Sequence, residues 1–145
     1  MAHTTKRKLS RFGLILVTTG CCLLVAACAC LKPDPGPCNS GVCKAVVTVQ
    51  SCEAGKMSVN PDPIAVSEPN NIEWLIATDG YSFAKDGIAI NGSGFITRPG
   101  VTGNGKKFIV HNDHSQMGLI KYAVRLVRDS DGVACAPYDP LINNR

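Results

Sequence analysis

Three side chains in the last third of the chain have the types and spacing of a metal site. His111, His114 and Met117 follow one another at intervals of three residues. Two imidazoles and a thioether are ligands that copper accepts in either oxidation state. A solvated loop between two strands has a similar composition, because Asn, Asp, His and Ser are common there. The sequence therefore keeps copper binding as an alternative function, while its first prediction is a protein without a cofactor.

A catalytic set is much harder to find. Asp113, His114 and Ser115 are the residue types of a hydrolytic triad, but they are neighbours in sequence. Successive side chains diverge, so neighbours rarely meet as orienter, base and nucleophile. We therefore predict that the protein is not an enzyme. As a further alternative, it could inhibit one by inserting an exposed loop into a cleft, and the candidate segment runs from Arg98 to Lys107.

An apolar run from Phe12 to Ala27 dominates the N-terminal region. Four basic residues precede it, with no acidic residue among them: Lys6, Arg7, Lys8 and Arg11. Positive charge that stays in the cytoplasm and a following apolar segment are typical of a signal sequence. A lasting transmembrane helix needs about 20 apolar residues, and this run has only 16. The segment therefore predicts export rather than a permanent membrane span.

The run ends in Val25-Ala26-Ala27-Cys28, which resembles the lipobox of bacterial lipoproteins. In that family the cysteine receives a diacylglycerol, the chain is cut just before it, and the new amine is usually acylated too. Two or three acyl chains hold a protein on a membrane that one chain binds only reversibly. The resemblance implies a signal peptide of residues 1–27, lipid on Cys28 and a position on the periplasmic side of a bacterial membrane. Ala29 in second place favours the outer membrane, and the alternatives are simple secretion and an uncleaved anchor.

The remaining chain is predicted to consist of a tether, residues 28–43, and one domain, residues 44–145. Pro33, Pro35 and Pro37 give the tether its extended character. The four basic residues of the N-terminal region account for the whole formal net charge of +4. The mature part is therefore neutral and lacks the positive charge that nucleic-acid binding requires, so nucleic acid is excluded as a partner.

Cysteines are frequent in the exported part. Five follow residue 28: Cys30, Cys38, Cys43, Cys52 and Cys135. In an oxidising compartment they are candidates for disulfides rather than metal thiolates. Several pairings are compatible with the sequence. We favour Cys38–Cys43, which closes a short loop, and Cys52–Cys135, which joins an early strand to the end of the chain.

Short alternating segments fill the domain. Ala45, Val47 and Val49 share one face, as do Ile72, Trp74 and Ile76, and a later segment directs Leu119, Tyr122, Val124 and Leu126 inward. Asp79-Gly80 and Gly103-Asn104-Gly105 are tight-turn signals. About seven or eight short strands, with a turn roughly every ten residues, predict an all-β Greek-key sandwich.

The order of these segments resembles cupredoxin-like domains over roughly residues 44–143, although an immunoglobulin-like sandwich shares much of the pattern. The resemblance rests on Ile72-x-Trp74 running to Tyr81-x-Phe83 and on the closing Tyr122-x-Val124-x-Leu126. Type-1 copper members of that family use two His, a Cys and a Met. Here Tyr81 stands near the expected place of the first His, and neither His nor Met follows Cys135. The resemblance therefore implies a metal-free member.

The predicted function is a lipid-anchored cell-envelope protein with a non-catalytic β-sandwich binding domain. Its expected partners are the membrane, through the lipid, and a protein, peptide or glycan of the envelope.

Overall fold

The computed structural model describes Cys38 and residues 41–145. The predicted signal peptide, Cys28, Cys30 and most of the predicted tether lie outside the described residues. The described part contains nine strands and no helix: β1 Val42–Val49, β2 Met57–Asn60, β3 Ile64–Val66, β4 Asn70–Ile76, β5 Tyr81–Ile90, β6 Phe95–Thr102, β7 Lys107–Asn112, β8 Gly118–Arg128 and β9 Leu141–Asn144. The prediction of an all-β sandwich is confirmed, with nine strands in place of seven or eight.

The strands form two mixed sheets. The first has five strands in the order β2-β1-β4-β7-β6, and the second has four in the order β3-β9-β8-β5. β1 is parallel to β4, and β3 is parallel to β9, while the other neighbours are antiparallel. Because consecutive strands such as β4, β5 and β6 alternate between the sheets, their apolar faces meet in one core.

Two aromatic pairs connect the sheets inside that core. Trp74 of β4 donates its indole N–H to the hydroxyl of Tyr122 in β8 over 3.1 Å, and the two ring centroids are 5.4 Å apart. Phe83 of β5 meets Phe108 of β7 edge to face, with centroids 5.7 Å apart. Burial raises the pKa of the Tyr122 hydroxyl well above its ordinary value. This hydroxyl is therefore a neutral structural group that satisfies the buried indole.

β8 departs from its predicted pattern at one position. The side chains that point inward are Ile120, Tyr122, Val124 and Leu126. Leu119 is 64% exposed, so the prediction that it points inward is wrong. The reason is geometric, because strand side chains alternate and Leu119 lies an odd number of residues from Tyr122. The chain also ends in a strand that the sequence analysis did not predict, β9, which lies between β8 and β3.

The edge strands are irregular. In β5 the register shifts between Phe83 and Ile88, so that residues 84–87 face only Arg125 of β8. We call this segment the β5 bulge. A Cβ added at Gly87 would lie 2.8 Å from the Cβ of Phe83, so the bulge requires glycine there. β6 carries a second bulge at Arg98 and Pro99, and the other edges, β2 and β3, have only four and three residues.

The sandwich has two ends, which we name after their disulfides. At the Cys43 end, β1, β4, β6 and β8 begin and β3, β7 and β9 finish. There Cys43 is bonded to Cys38, with their Cα atoms 4.3 Å apart. At the opposite Cys135 end, Cys52 follows β1 and is bonded to Cys135, with their Cα atoms 4.1 Å apart. These are the two pairs that the sequence analysis favours.

Candidate functional site

Buried asparagines lie inside the Cys43 end. Asn70, Asn112 and Asn144 are the polar residues that are buried in the described part of the chain. Asn112 donates its side-chain amide to the Asn144 carbonyl oxygen over 2.9 Å, and Asn144 donates to the backbone carbonyl of Gln116 over 2.7 Å. We call Asn112 and Asn144 the asparagine cluster. Since β7 and β9 belong to different sheets, this asparagine cluster joins the sheets and holds the β7–β8 loop.

The three predicted copper ligands are distributed around this cluster. His111 is part of β7 rather than of a loop, and its Nδ1 lies 3.0 Å from the Asn71 side-chain oxygen on the outer surface of the first sheet. His114 lies in the loop, with a φ of 61°. Its Nε2 lies 3.2 Å from the carbonyl oxygen of Val66 in the second sheet. Met117 is 59% exposed. Each imidazole thus uses one nitrogen within the protein, and the two rings contact different sheets.

Asp113, the acidic residue of the β7–β8 loop, forms hydrogen bonds within the loop. Asp113 accepts the backbone N–H of Ser115 through Oδ1 over 2.9 Å. Hydrogen bonds from Ser115 are the main reason why the pKa of Asp113 lies below its usual value, and the nearby imidazoles lower it further. The carboxylate therefore closes a turn and does not orient His114 for catalysis. No three His, Cys, Asp or Glu side chains are grouped as a metal site within the described residues.

An ionic network covers the Cys135 end. The Ser82 hydroxyl donates to Asp129 Oδ1 over 2.5 Å, and Lys106 Nζ lies 3.2 Å from Asp129 Oδ2 and also donates to the Tyr81 carbonyl. The hydrogen bond from Ser82, followed by Lys106, lowers the pKa of Asp129. The hydrogen bonds of Ser82, Lys106 and Asp129 therefore join the β6–β7 turn to β5 and β8. Tyr81, near which the cupredoxin resemblance places a copper ligand, lies at this end and not beside the histidines.

The segment from Arg98 to Lys107 is not an exposed loop. Its first residues belong to β6, and the remainder forms a tight turn into β7 that is closed by hydrogen bonds from Gly105 to Thr102 and from Lys106 to Gly103, both 3.1 Å long. This segment is thus a hairpin rather than a free loop, and inhibition of an enzyme by its insertion into a cleft stays a prediction. Pairing with β7 satisfies the backbone groups that such a loop would leave exposed.

A groove lies beside the C-terminal half of β8, towards the Cys135 end. It has a volume of about 220 Å³ and is bounded by the β5 bulge, by β8 and by the chain around Cys135. Its lining residues are Ala84, Asp86, Arg125, Leu126, Val127, Ala134, Cys135 and Pro137. Most of them are apolar, and the exposed ion pair between Asp86 and Arg125 stands at the rim. Sequence reasoning missed this groove, although Asp86-Gly87 inside a strand was a signal for the bulge.

Comparison with known proteins gives no family for this chain. No protein-family model matches it, and no curated protein sequence is significantly similar to it. Within residue 38 and residues 41–145, no helix is long and apolar enough to cross a membrane.

Proposed function

We propose that this chain is a lipid-anchored cell-envelope protein whose β-sandwich is a non-catalytic binding domain. The groove beside β8 is its binding site for an envelope protein or peptide. The observation that carries the proposal is the groove itself: a small, mostly apolar depression with one ion pair at its rim. The two disulfides support export, because such bonds persist in oxidising compartments.

The size of the groove favours a polypeptide partner. Sites for small molecules usually have volumes of about 300–1,000 Å³, whereas this groove has about 220 Å³. It can accept one or two apolar side chains while the rest of the ligand stays outside. Arg125 and Asp86 then offer a donor and an acceptor to the backbone of that ligand, since both side chains are about half exposed or more.

The position of the groove suits an anchored protein. Nine residues separate the proposed lipid on Cys28 from Cys38, which is bonded at the Cys43 end. A fully extended chain of that length spans about 35 Å at most. The proposed anchor therefore joins the domain at its Cys43 end, while the groove lies towards the other end.

Lipid attachment is tested with the full chain expressed in a bacterium that acylates lipoproteins. We expect the mature protein to begin at residue 28 with the mass of a diacylglycerol and a third acyl chain, and to fractionate with membranes. Cys28→Ser should lack the added mass and leave the membrane fraction. Cleavage at another residue, without added mass, would refute the anchor.

The groove is tested by filling it. Ala134 is exposed and lines the groove, so Ala134→Arg places a long charged side chain over the apolar floor. The matched control is Ala77→Arg, which is also exposed but does not line the groove. Cross-linking in intact cells should give one discrete envelope adduct with the native chain and the control, and lose it with Ala134→Arg. An adduct that survives in all three proteins would place the binding site elsewhere.

Copper handling stays the alternative function, with His111, His114 and Met117 as ligands. The ring nitrogens left for a metal are His111 Nε2 and His114 Nδ1, because the other two are hydrogen-bonded. Titration of the native protein with copper, followed by absorption and calorimetry, tests this directly. Stoichiometric binding that disappears in the double variant His111→Ala, His114→Ala would support metal handling; no binding would leave the groove as the functional site.

A further inference from the structure

Exposed apolar side chains concentrate at the Cys43 end. Among the described residues the large apolar side chains that are exposed are Val46, Ile96, Met117, Leu119 and Val133. Three of them, Ile96, Met117 and Leu119, lie where β6 and β8 begin, and their exposed fractions are 45%, 59% and 64%. We call these three residues the apolar rim. Single exposed apolar residues are ordinary on protein surfaces, but their concentration on one end indicates an interaction surface.

The rim lies near this end of the sandwich. Ile96 lies beside His111, one residue in from the Phe95–Asn112 pair that ends the first sheet. Leu119 lies beside Asn143, one residue in from the Gly118–Asn144 pair that ends the second sheet. Met117 occupies the β7–β8 loop between them. The rim thus presents apolar side chains from both sheets and from the loop that connects them.

The loops beneath the rim are held in place by hydrogen bonds. The backbone N–H of Ser93 donates to the Gln116 side chain over 2.8 Å, and that of Asp113 donates to the Gly94 carbonyl over 2.8 Å. The asparagine cluster holds the same β7–β8 loop from inside. A surface that is ordered before binding loses little conformational entropy when it makes contact.

We propose that the apolar rim docks on the lipid bilayer, so that the domain stands on the membrane by its Cys43 end. The inference rests on the proposed lipid anchor, because Cys38 ties the chain that leads to Cys28 to this same end. Nine intervening residues hold the rim within reach of the membrane surface. The bilayer is therefore the apolar phase present at highest local concentration.

The charges near the rim favour apolar insertion over electrostatic attraction. Glu68 and Asp113 are acidic and Arg145 is basic, and all three are exposed. The nearby Lys121 is paired with Asp139 over 2.9 Å. Attraction of a protein to anionic lipids requires clusters of basic residues and weakens with salt. Docking by the rim should therefore be insensitive to ionic strength and to the fraction of anionic lipid.

Tryptophan fluorescence provides the test, because the native Trp74 is fully buried and contributes a constant background. The mature lipidated protein is reconstituted into phosphatidylcholine vesicles with brominated acyl chains, which quench indoles that enter the bilayer. Leu119→Trp and Met117→Trp place a reporter on the rim. Val133→Trp, at an exposed apolar position near the Cys135 end, is the matched control.

We expect the emission of both rim reporters to shift to the blue and to be quenched, equally at low and high salt, while the control keeps its emission. Equal quenching of Val133→Trp, or no quenching of any reporter, would overturn the docking. Absence of acylation at Cys28, measured by mass on the same sample, would instead refute the anchor. Rim reporters that shift without quenching, together with dimers on the vesicles, would assign the rim to a second copy of the chain and also overturn the proposal.

Discussion

The two ends of the sandwich place polar and apolar side chains in opposite ways. At the Cys43 end the asparagine cluster is buried, and the apolar rim is outside. At the Cys135 end the network of Ser82, Lys106 and Asp129 is on the surface, and the groove towards that end has an apolar lining. An ordinary aqueous surface explains the second arrangement. Exposed apolar side chains such as those of the rim cost free energy in water, and the proposed docking on lipid would remove that cost.

The contrast shows that buried polar groups can stabilise a loop whose own surface is apolar. A β7–β8 loop that exposes Met117 cannot be held by burying that residue in the core. It is held through Asn144, which accepts from Asn112 and donates to Gln116. The following variants weaken or sharpen this comparison, beginning with the largest expected effect.

Removal of the disulfides should affect the two ends unequally. Cys52 and Cys135 are 83 residues apart, and loop entropy predicts that removing their bond lowers the free energy of unfolding by about 4.5 kcal/mol. Cys38 and Cys43 are five residues apart, and the same relation predicts a loss of about 2 kcal/mol. Denaturant unfolding of Cys52→Ser, Cys135→Ser and of Cys38→Ser, Cys43→Ser measures both values. Equal losses would show that loop length does not determine the contribution of these bonds.

Truncation inside the asparagine cluster should be the next largest effect. Asn112→Ala leaves the Asn144 oxygen without its donor and the His114 backbone N–H without its acceptor, and each unsatisfied group costs about 1–3 kcal/mol. Asn71→Ala is the control, since Asn71 is on the neighbouring strand and its side chain pairs only with the partly exposed His111 in the described structure. The same unfolding measurement applies, and faster hydrogen exchange in residues 113–117 should accompany only the Asn112 variant.

Loss of the hydrogen bond between Trp74 and Tyr122, which connects the two sheets, should lower the free energy of unfolding by a smaller amount. Tyr122→Phe removes the acceptor of the buried Trp74 N–H, and an unsatisfied buried donor costs about 1–3 kcal/mol. Tyr138→Phe is its control, because the Tyr138 hydroxyl donates to Asp62 at the surface. A loss in the control that equals the loss in Tyr122→Phe would contradict the importance of burial.

Removal of charge at the Cys135 end should have the smallest effect, and one that depends on pH. The pKa of Asp129 is lowered in the folded chain, so its stabilising contribution is present above the unfolded pKa of about 3.9 and is lost as the pH falls through the folded value. Asp129→Asn should therefore lower the midpoint of thermal unfolding at pH 7 and have no such effect near pH 2. When Ser82→Ala is already present, the further effect of Asp129→Asn at pH 7 should shrink, because Ser82 is the main cause of the lowered pKa.

The predicted and observed structures agree wherever one face of a strand is buried. Val47, Trp74 and Val124 are fully buried as their alternation indicates. Short alternating segments, separated by turn signals about every ten residues, were enough to predict an all-β chain. Leu119 was misplaced although the same alternation, counted back from Tyr122, directs Ile120 inward and Leu119 outward.

The site was less predictable than the fold for a different reason. The groove combines Ala84, Arg125 and Ala134, which come together only when β5 bulges and the chain returns along β8. The asparagine cluster likewise joins Asn112 to Asn144 through β9, which has only four residues. Contacts between distant segments depend on the whole topology, and no local pattern encodes them.

The irregular edge strands disfavour strand pairing between neighbouring molecules that are held on one surface. Proteins confined to a membrane surface meet one another in similar orientations, and an unpaired strand would then recruit the same strand of its neighbour. Here two edges are interrupted by the bulges at residues 84–87 and 98–99, and the other two are very short. With the proposed anchor, many copies can therefore share one patch of membrane and remain separate molecules, each with its proposed binding groove open.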